Sequence, residues 1–258
     1  MPILPEQPVS TKPAHASVPW YAWWGVFASI IIFIGSQFAA SVGLSFYAAA
    51  RHLSSQQLNN STAVSFIFIV LVTVLVLLGT RLFLNLYRVG FRSIGLRRPR
   101  WSDPLYGLLA LVPYFILFLL ASSIIHYFVP SYNVNQSQDV GFNNVAGTAA
   151  LLMTFISLVI LPPLTEEIIF RGLLFVSLKK ALPLIIAAVV TSALFAAGHL
   201  LEASSGDGLL YVAGVDTFVL SLVLIFVRQK TQGLWAGMTL HALKNGIAFL
   251  ALFVIHVK

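Results

Sequence analysis

Seven stretches of this chain run for about twenty residues or more and are predominantly apolar, and a bilayer crossing needs about that length of apolar helix. They cover about Trp20 to Ala50, Ala63 to Leu86, Pro104 to Val129, Val145 onward to Lys180, Leu182 to Leu201, Leu209 to Val227 and Leu234 to Val257. Inside hydrocarbon every backbone N–H and C=O must find its partner within the protein, so such continuous apolar runs fold as helices. The expected fold is all-α: a polytopic transmembrane bundle of about seven spans around a buried polar site. Charged residues make up 9% of the chain, against about 25% in a soluble domain, which excludes a soluble globular protein.

Residues 1–19 hold five prolines and no apolar period and read as a disordered tail. Residues 20–144 read as N-terminal transmembrane helices with a basic connector, and 145–258 as the transmembrane core that holds the intramembrane acids. The first apolar run is far longer than the core of a cleaved signal peptide, so it stays as a span, with Tyr21, Trp23 and Trp24 as an interfacial aromatic anchor. Val145 to Lys180 is too long for one ~30 Å crossing and short for two with a loop. Pro162 and Pro163 should break or kink it. Counted as one kinked span it gives seven; split, it gives eight. Six of the fifteen basic residues lie between Arg81 and Arg100, and placing that connector inside also brings Lys179, Lys180, Arg228 and Lys230 inside when there are seven spans. The N-terminus is then cytoplasmic, and the expected location is a bacterial-type plasma membrane.

The net charge of +7 is thus a statement about headgroups, and no nucleic-acid partner is expected; the bilayer is the first partner. With no cysteine, zinc or another divalent metal could be held only by histidine and carboxylate. Of eight acids, Glu166, Glu167 and Asp216 lie in or beside apolar segments, where an ionised group costs several kcal/mol unless paired, hydrated or protonated. The others, Glu6, Asp103, Asp139, Glu202 and Asp207, read as loop or tail charges.

Glu167 and Arg171 are four apart, share a helix face and can pair. Glu166 is turned about 100° away and is left with freedom to act as a base. A locked ion network is the competing reading of these three. Phe195-Ala-Ala-Gly-His199 ends an apolar run with an imidazole, and its small residues would let another helix approach closely. His241 and Asn245, four apart in the last run, face one cavity or hydrogen-bond between helices. Asp216 reads as a cavity-lining group or a partner for Lys244. A carboxylate, two imidazoles and an amide on three segments suit water activation, and two wirings fit. Glu166, His199 and His241 could hold a metal; or, without one, Glu166 assisted by His199 deprotonates water while His241 and Asn245 donate to the oxyanion.

Glu166-Glu167-x-x-x-Arg171, Phe195-x-x-x-His199 and His241-x-x-x-Asn245, preceded by Gln232-Gly-Leu-Trp-Ala-Gly237, resemble the CPBP family. These are the CAAX proteases and bacteriocin-processing enzymes, also called the Abi or type II CAAX prenyl endopeptidase family, usually labelled metalloproteases. The resemblance spans Leu161 to Asn245. It implies an intramembrane endopeptidase acting on a membrane-associated peptide or protein, lipidated in one option. The first Glu and first His would activate water, and the later His and Asn would support the oxyanion or a metal. A non-catalytic immunity or scaffold protein of the same fold and a proton-coupled transporter are the competing functions; the lack of an internal repeat argues against the transporter. Counting up the spans from the inner boundary puts Glu166, His199 and His241 mid-membrane or in the outer half.

Overall fold

The computed structural model describes residues 18–134, 136, 140–142, 144–200 and 209–255. Most of the expected tail, Asp139, Glu202, Asp207 and His256 lie outside these residues. The described chain contains seven long apolar helices: α1 Ala22–Ala50, α2 Thr62–Leu86, α3 Ser102–Phe128, α4 Gly147–Ala181, α5 Leu184–Leu200, α6 Tyr211–Thr231 and α7 Trp235–Ile255. Six are long enough to cross a membrane, and α5 is a shorter apolar helix of 17 residues. The protein is an integral, multi-pass membrane bundle. Tyr21, Trp23 and Trp24 are exposed at the start of α1 as an interfacial anchor requires. Their neighbour Trp20, by contrast, is fully buried and donates to Ser177 Oγ at 2.9 Å.

α6 is the axis of the bundle. In its most apolar 18-residue window 61% of residues are buried, against 17–28% for the other five spans. The outer helices are apolar nearly all round because one face meets lipid and the other meets protein. α3, α5 and α7 pack around α6, while α1 and α2 pair with each other and against α4. One apolar core joins Val26, Val76, Phe170, Phe175 and Phe195; a second joins Ala110, Leu220, Leu224 and Leu240. Close approach between α5 and α6 comes from Gly214, whose missing Cβ makes room for the Leu200 side chain. Gly198, expected to serve that purpose, faces open space.

α4 is one helix of 35 residues, and the proline pair neither ends it nor splits it into two spans. A π-helical stretch, Ile156–Ile160, precedes the prolines, and a second, Glu167–Leu174, follows them. In the first stretch the Leu161 N–H bonds Ile156 O, a five-residue step. This wider turn places Pro162 and Pro163 in the first turn of the next α-helical piece, where a missing N–H is tolerated.

The basic connector does not simply float among headgroups. Asp103, expected as a loop charge, is buried; it accepts from Arg97 at 2.8 and 2.6 Å and from the Arg100 N–H at 2.7 Å. Trp235 Nε1 donates to Arg97 O at 2.5 Å and the Leu234 N–H to Gly95 O at 3.1 Å, so the connector is laced to the α6–α7 turn. Asp103→Ala would strip these charged hydrogen bonds, at about 1.5–3 kcal/mol. A lower unfolding midpoint of the detergent-solubilised protein, with no like loss in Arg98→Ala, is the expected result.

Candidate active site

The second π-stretch of α4 is buried throughout, from Glu167 to Leu174. Within it Arg171 NH1 donates to Glu167 Oε1 at 2.8 Å, both side chains sealed from solvent. The Arg171 guanidinium also lies 4.3 Å above the centroid of the Phe195 ring on α5, which spreads its charge over a π face. Gly237 on α7 gives the carboxylate its space: a Cβ there would stand 2.8 Å from Glu167 Oε2. The glycine in the Trp-Ala-Gly run is thus a packing requirement of the ion pair.

His241, buried on α7, sits between both carboxylates. Its Nδ1 is 3.5 Å from Glu167 Oε1 and its Nε2 is 3.7 Å from Glu166 Oε2. One imidazole therefore links the two glutamates that helical geometry turned apart. Glu166 differs from Glu167 in exposure: its side chain is 15% exposed and borders a cavity of about 600 Å³. His199, His241, Lys244 and Asn245 border the same cavity, whereas Glu167 and Arg171 do not. The six residues singled out in the sequence accordingly divide into four on the cavity and two packed behind it.

His199 is oriented from within its own helix. Its Nδ1 donates to Phe195 O at 3.0 Å, since a carbonyl can only accept, and this leaves Nε2 as the free ring nitrogen. Phe195, the other end of that motif, packs its ring against Arg171, His199 and His241 together. Asn245 is held by an acceptor that the prolines release. The Leu158 carbonyl would receive its α-helical bond from residue 162 and a π-helical one from residue 163, and both are proline without an N–H. Asn245 Nδ2 donates to that carbonyl at 3.0 Å, which leaves the second amide N–H free for another acceptor.

Asp216 and Lys244 form an ion pair at 2.7 Å, with Tyr114 OH as a second donor to Asp216. The pairing of Asp216 with Lys244 is one of the readings of the sequence; Tyr114 and the Leu158 carbonyl were missed, and Gly237 was seen only as part of a motif, without its packing role. The Pro-Pro pair was the available signal for the carbonyl.

Among the described residues no three His, Asp or Glu side chains converge as a metal's ligand set. Glu166 and His241 approach each other, but His199 does not complete a triad with them. The three side chains that would hold zinc or another divalent metal, Glu166, His199 and His241, do not form a three-ligand set here.

Residues 148–247 match the family model described as type II CAAX prenyl endopeptidase Rce1-like. This segment is similar to the CAAX-protease family. The match begins at the start of α4, ends two residues past Asn245 and contains all three motifs on their three helices. It takes in 100 of the 258 residues, so α1, α2 and α3 are bundle outside the matched segment. No curated protein and no solved structure matches the chain. That family is one of proteases.

Gly237→Ala tests the geometry behind the cavity. The added methyl meets a carboxylate pinned by Arg171, and overpacking of this kind costs about 1–3 kcal/mol. The unfolding midpoint in detergent should fall, and Gly246→Ala, whose added Cβ would find its nearest neighbour at 3.7 Å, should leave it unchanged.

Proposed function

We propose that this CAAX-protease domain is a working intramembrane endopeptidase that hydrolyses a peptide bond of a membrane-associated protein or peptide with a Glu166-activated water. The observation that carries this reading is the convergence of Glu166, His199, His241 and Asn245, from three separate helices, on one cavity within an apolar bundle. Glu166 is the base that is partly exposed to the cavity, and His199, whose Nδ1 is engaged by Phe195 O, borders the same space. A water between them gives its proton to Glu166, and the hydroxide adds to the substrate carbonyl carbon. His241 and the second N–H of Asn245 stand on the facing helix as donors to the resulting oxyanion. The C–N bond then breaks as the proton passes from Glu166 to the departing amine. Glu167 and Arg171 touch no substrate in this scheme; they are positioning residues that hold His241 and Phe195.

The cavity wall supports the substrate class. Leu44, Phe68, Phe142, Phe249 and Leu252 line it beside the polar end, a surface suited to an apolar or lipid-modified segment rather than a hydrophilic peptide.

Glu166→Gln and His199→Ala, reconstituted in lipid nanodiscs and assayed against a quenched peptide library, should each lose at least about 10²-fold in kcat, the usual worth of a positioned acid–base group. Wild-type turnover in both variants would overturn the proposal in favour of a binding or scaffold role. Because the donors do not ring a metal, prolonged chelation of the purified wild type should leave turnover within about twofold, an expectation that follows from the acid–base chemistry alone. Loss on chelation with recovery on adding zinc would replace this wiring with a metal-dependent one.

A further inference from the structure

At the end of the bundle away from the cavity there is a second, smaller pocket of about 340 Å³, lined by Arg92, Lys179, Lys180 and Arg228 with Ser93 and Gln232. Four cations surround one space, and among the described residues no carboxylate lines it. The nearby acids are engaged elsewhere, Asp103 by Arg97 and Glu167, which lies within electrostatic reach of Arg228, by Arg171. Each lysine is held by neutral oxygens only: Lys179 donates to Gln229 Oε1 at 3.2 Å, and Lys180 to Val18 O and Trp20 O at 3.1 and 2.6 Å.

Arg228 makes this more than a patch of surface charge. It is 8% exposed, its NH2 donates to Ile94 O at 3.3 Å, and its Nε has no hydrogen-bond partner. Gly95 lies against its guanidinium in the left-handed region, φ 97°, where a side chain would both strain the backbone and collide with the arginine. Lysines in the last turn of a helix complement the helix dipole, and basic residues at one end of a bundle set its orientation. Those two effects account for Lys179 and Lys180. Neither accounts for a buried arginine, cradled by a glycine, in the wall of a cavity.

We propose that this pocket is a binding site for a phosphate group, the oxyanion whose several acceptors match a guanidinium together with ammonium groups. Phosphate chemistry reaches such a place, at helix ends beside the exposed Tyr21, Trp23 and Trp24, either as an anionic phospholipid headgroup or as free phosphate. Bound there, it ties the start of α1, the turn at residues 91–94 and the C-terminal ends of α4 and α6 into one unit. Neither the pocket nor its test depends on the protease reading.

The full chain in neutral detergent is titrated with phosphatidylglycerol, phosphatidylcholine and inorganic phosphate in parallel, following the unfolding midpoint and, by native mass spectrometry, retained lipid. The expected result is a saturable rise in midpoint with phosphatidylglycerol or with inorganic phosphate and none with phosphatidylcholine. The first arm alone identifies a headgroup and the second a soluble phosphate. Arg228→Gln should weaken the apparent affinity at least tenfold. Since that variant removes a buried side chain, the paired Arg92→Gln/Lys179→Gln variant, at less buried positions, should weaken it at least fivefold while folding normally. Lys230→Gln, exposed on the same helix but outside the pocket, should leave it unchanged. Equal stabilisation by phosphatidylcholine, or an unaltered affinity in both pocket variants, would overturn the proposal.

Discussion

A charged pair enclosed in a membrane bundle is stable only while both partners stay in place, because removing either leaves an ion in an apolar surround at about 3–5 kcal/mol. Glu167 and Arg171 are such a pair, and neighbouring elements accommodate them. Gly237 leaves space for the carboxylate, Phe195 lies under the guanidinium, and His241 approaches Glu167 from α7. The pair thereby ties α4, α5 and α7 into one register. Since Glu166, His199 and His241 come one from each of these helices, the cavity-facing groups are aligned by an interaction that itself never reaches the cavity.

The prolines supply a second alignment by subtraction. Two adjacent residues without N–H groups deny the Leu158 carbonyl both of its possible helical donors, and in an apolar interior an orphan carbonyl must be satisfied elsewhere. Asn245 supplies that bond, so the α4–α7 contact is fixed by an acceptor that exists only because α4 carries Pro162 and Pro163. What would disturb a helix in isolation here couples two helices at the edge of the proposed active site.

Much of this was legible in the chain because the bilayer leaves few options. The apolar lengths gave the seven helices, of which six are long enough to cross a membrane and Leu184–Leu200 is shorter, and α4, which could have been one span or two, is a single helix. The motif residues were visible because intramembrane polar groups are rare. The separation of Glu166 from Glu167 was read from ideal 3.6-residue geometry, which cannot show a histidine from a distant helix reaching both. The π-stretches escaped for the same reason. Asp103 and Arg228 were taken for loop and topology charges, since sequence position alone does not tell a headgroup-facing charge from one folded beneath a connector.

α6 explains why the two polar regions sit where they do. As the most enclosed span it can carry ionisable groups only near its ends, and it has Asp216 in its first turns and Arg228 in its last, twelve residues or about 18 Å apart. Arg228, in the last turn, also complements the C-terminal end of the helix dipole, whereas Asp216 lies beyond the first turn and relies on Lys244 and Tyr114. Asp216 draws Lys244 to the wall of the large cavity, while Arg228 is in the wall of the basal pocket. The large cavity extends along α1, α2 and the segment at 140–142 towards the end remote from the basic connector. The cationic pocket and the large cavity thus lie towards opposite ends of α6. On this arrangement the apolar middle of α6 separates the proposed proton chemistry from the anion-binding end, so the two can be altered independently by substitution.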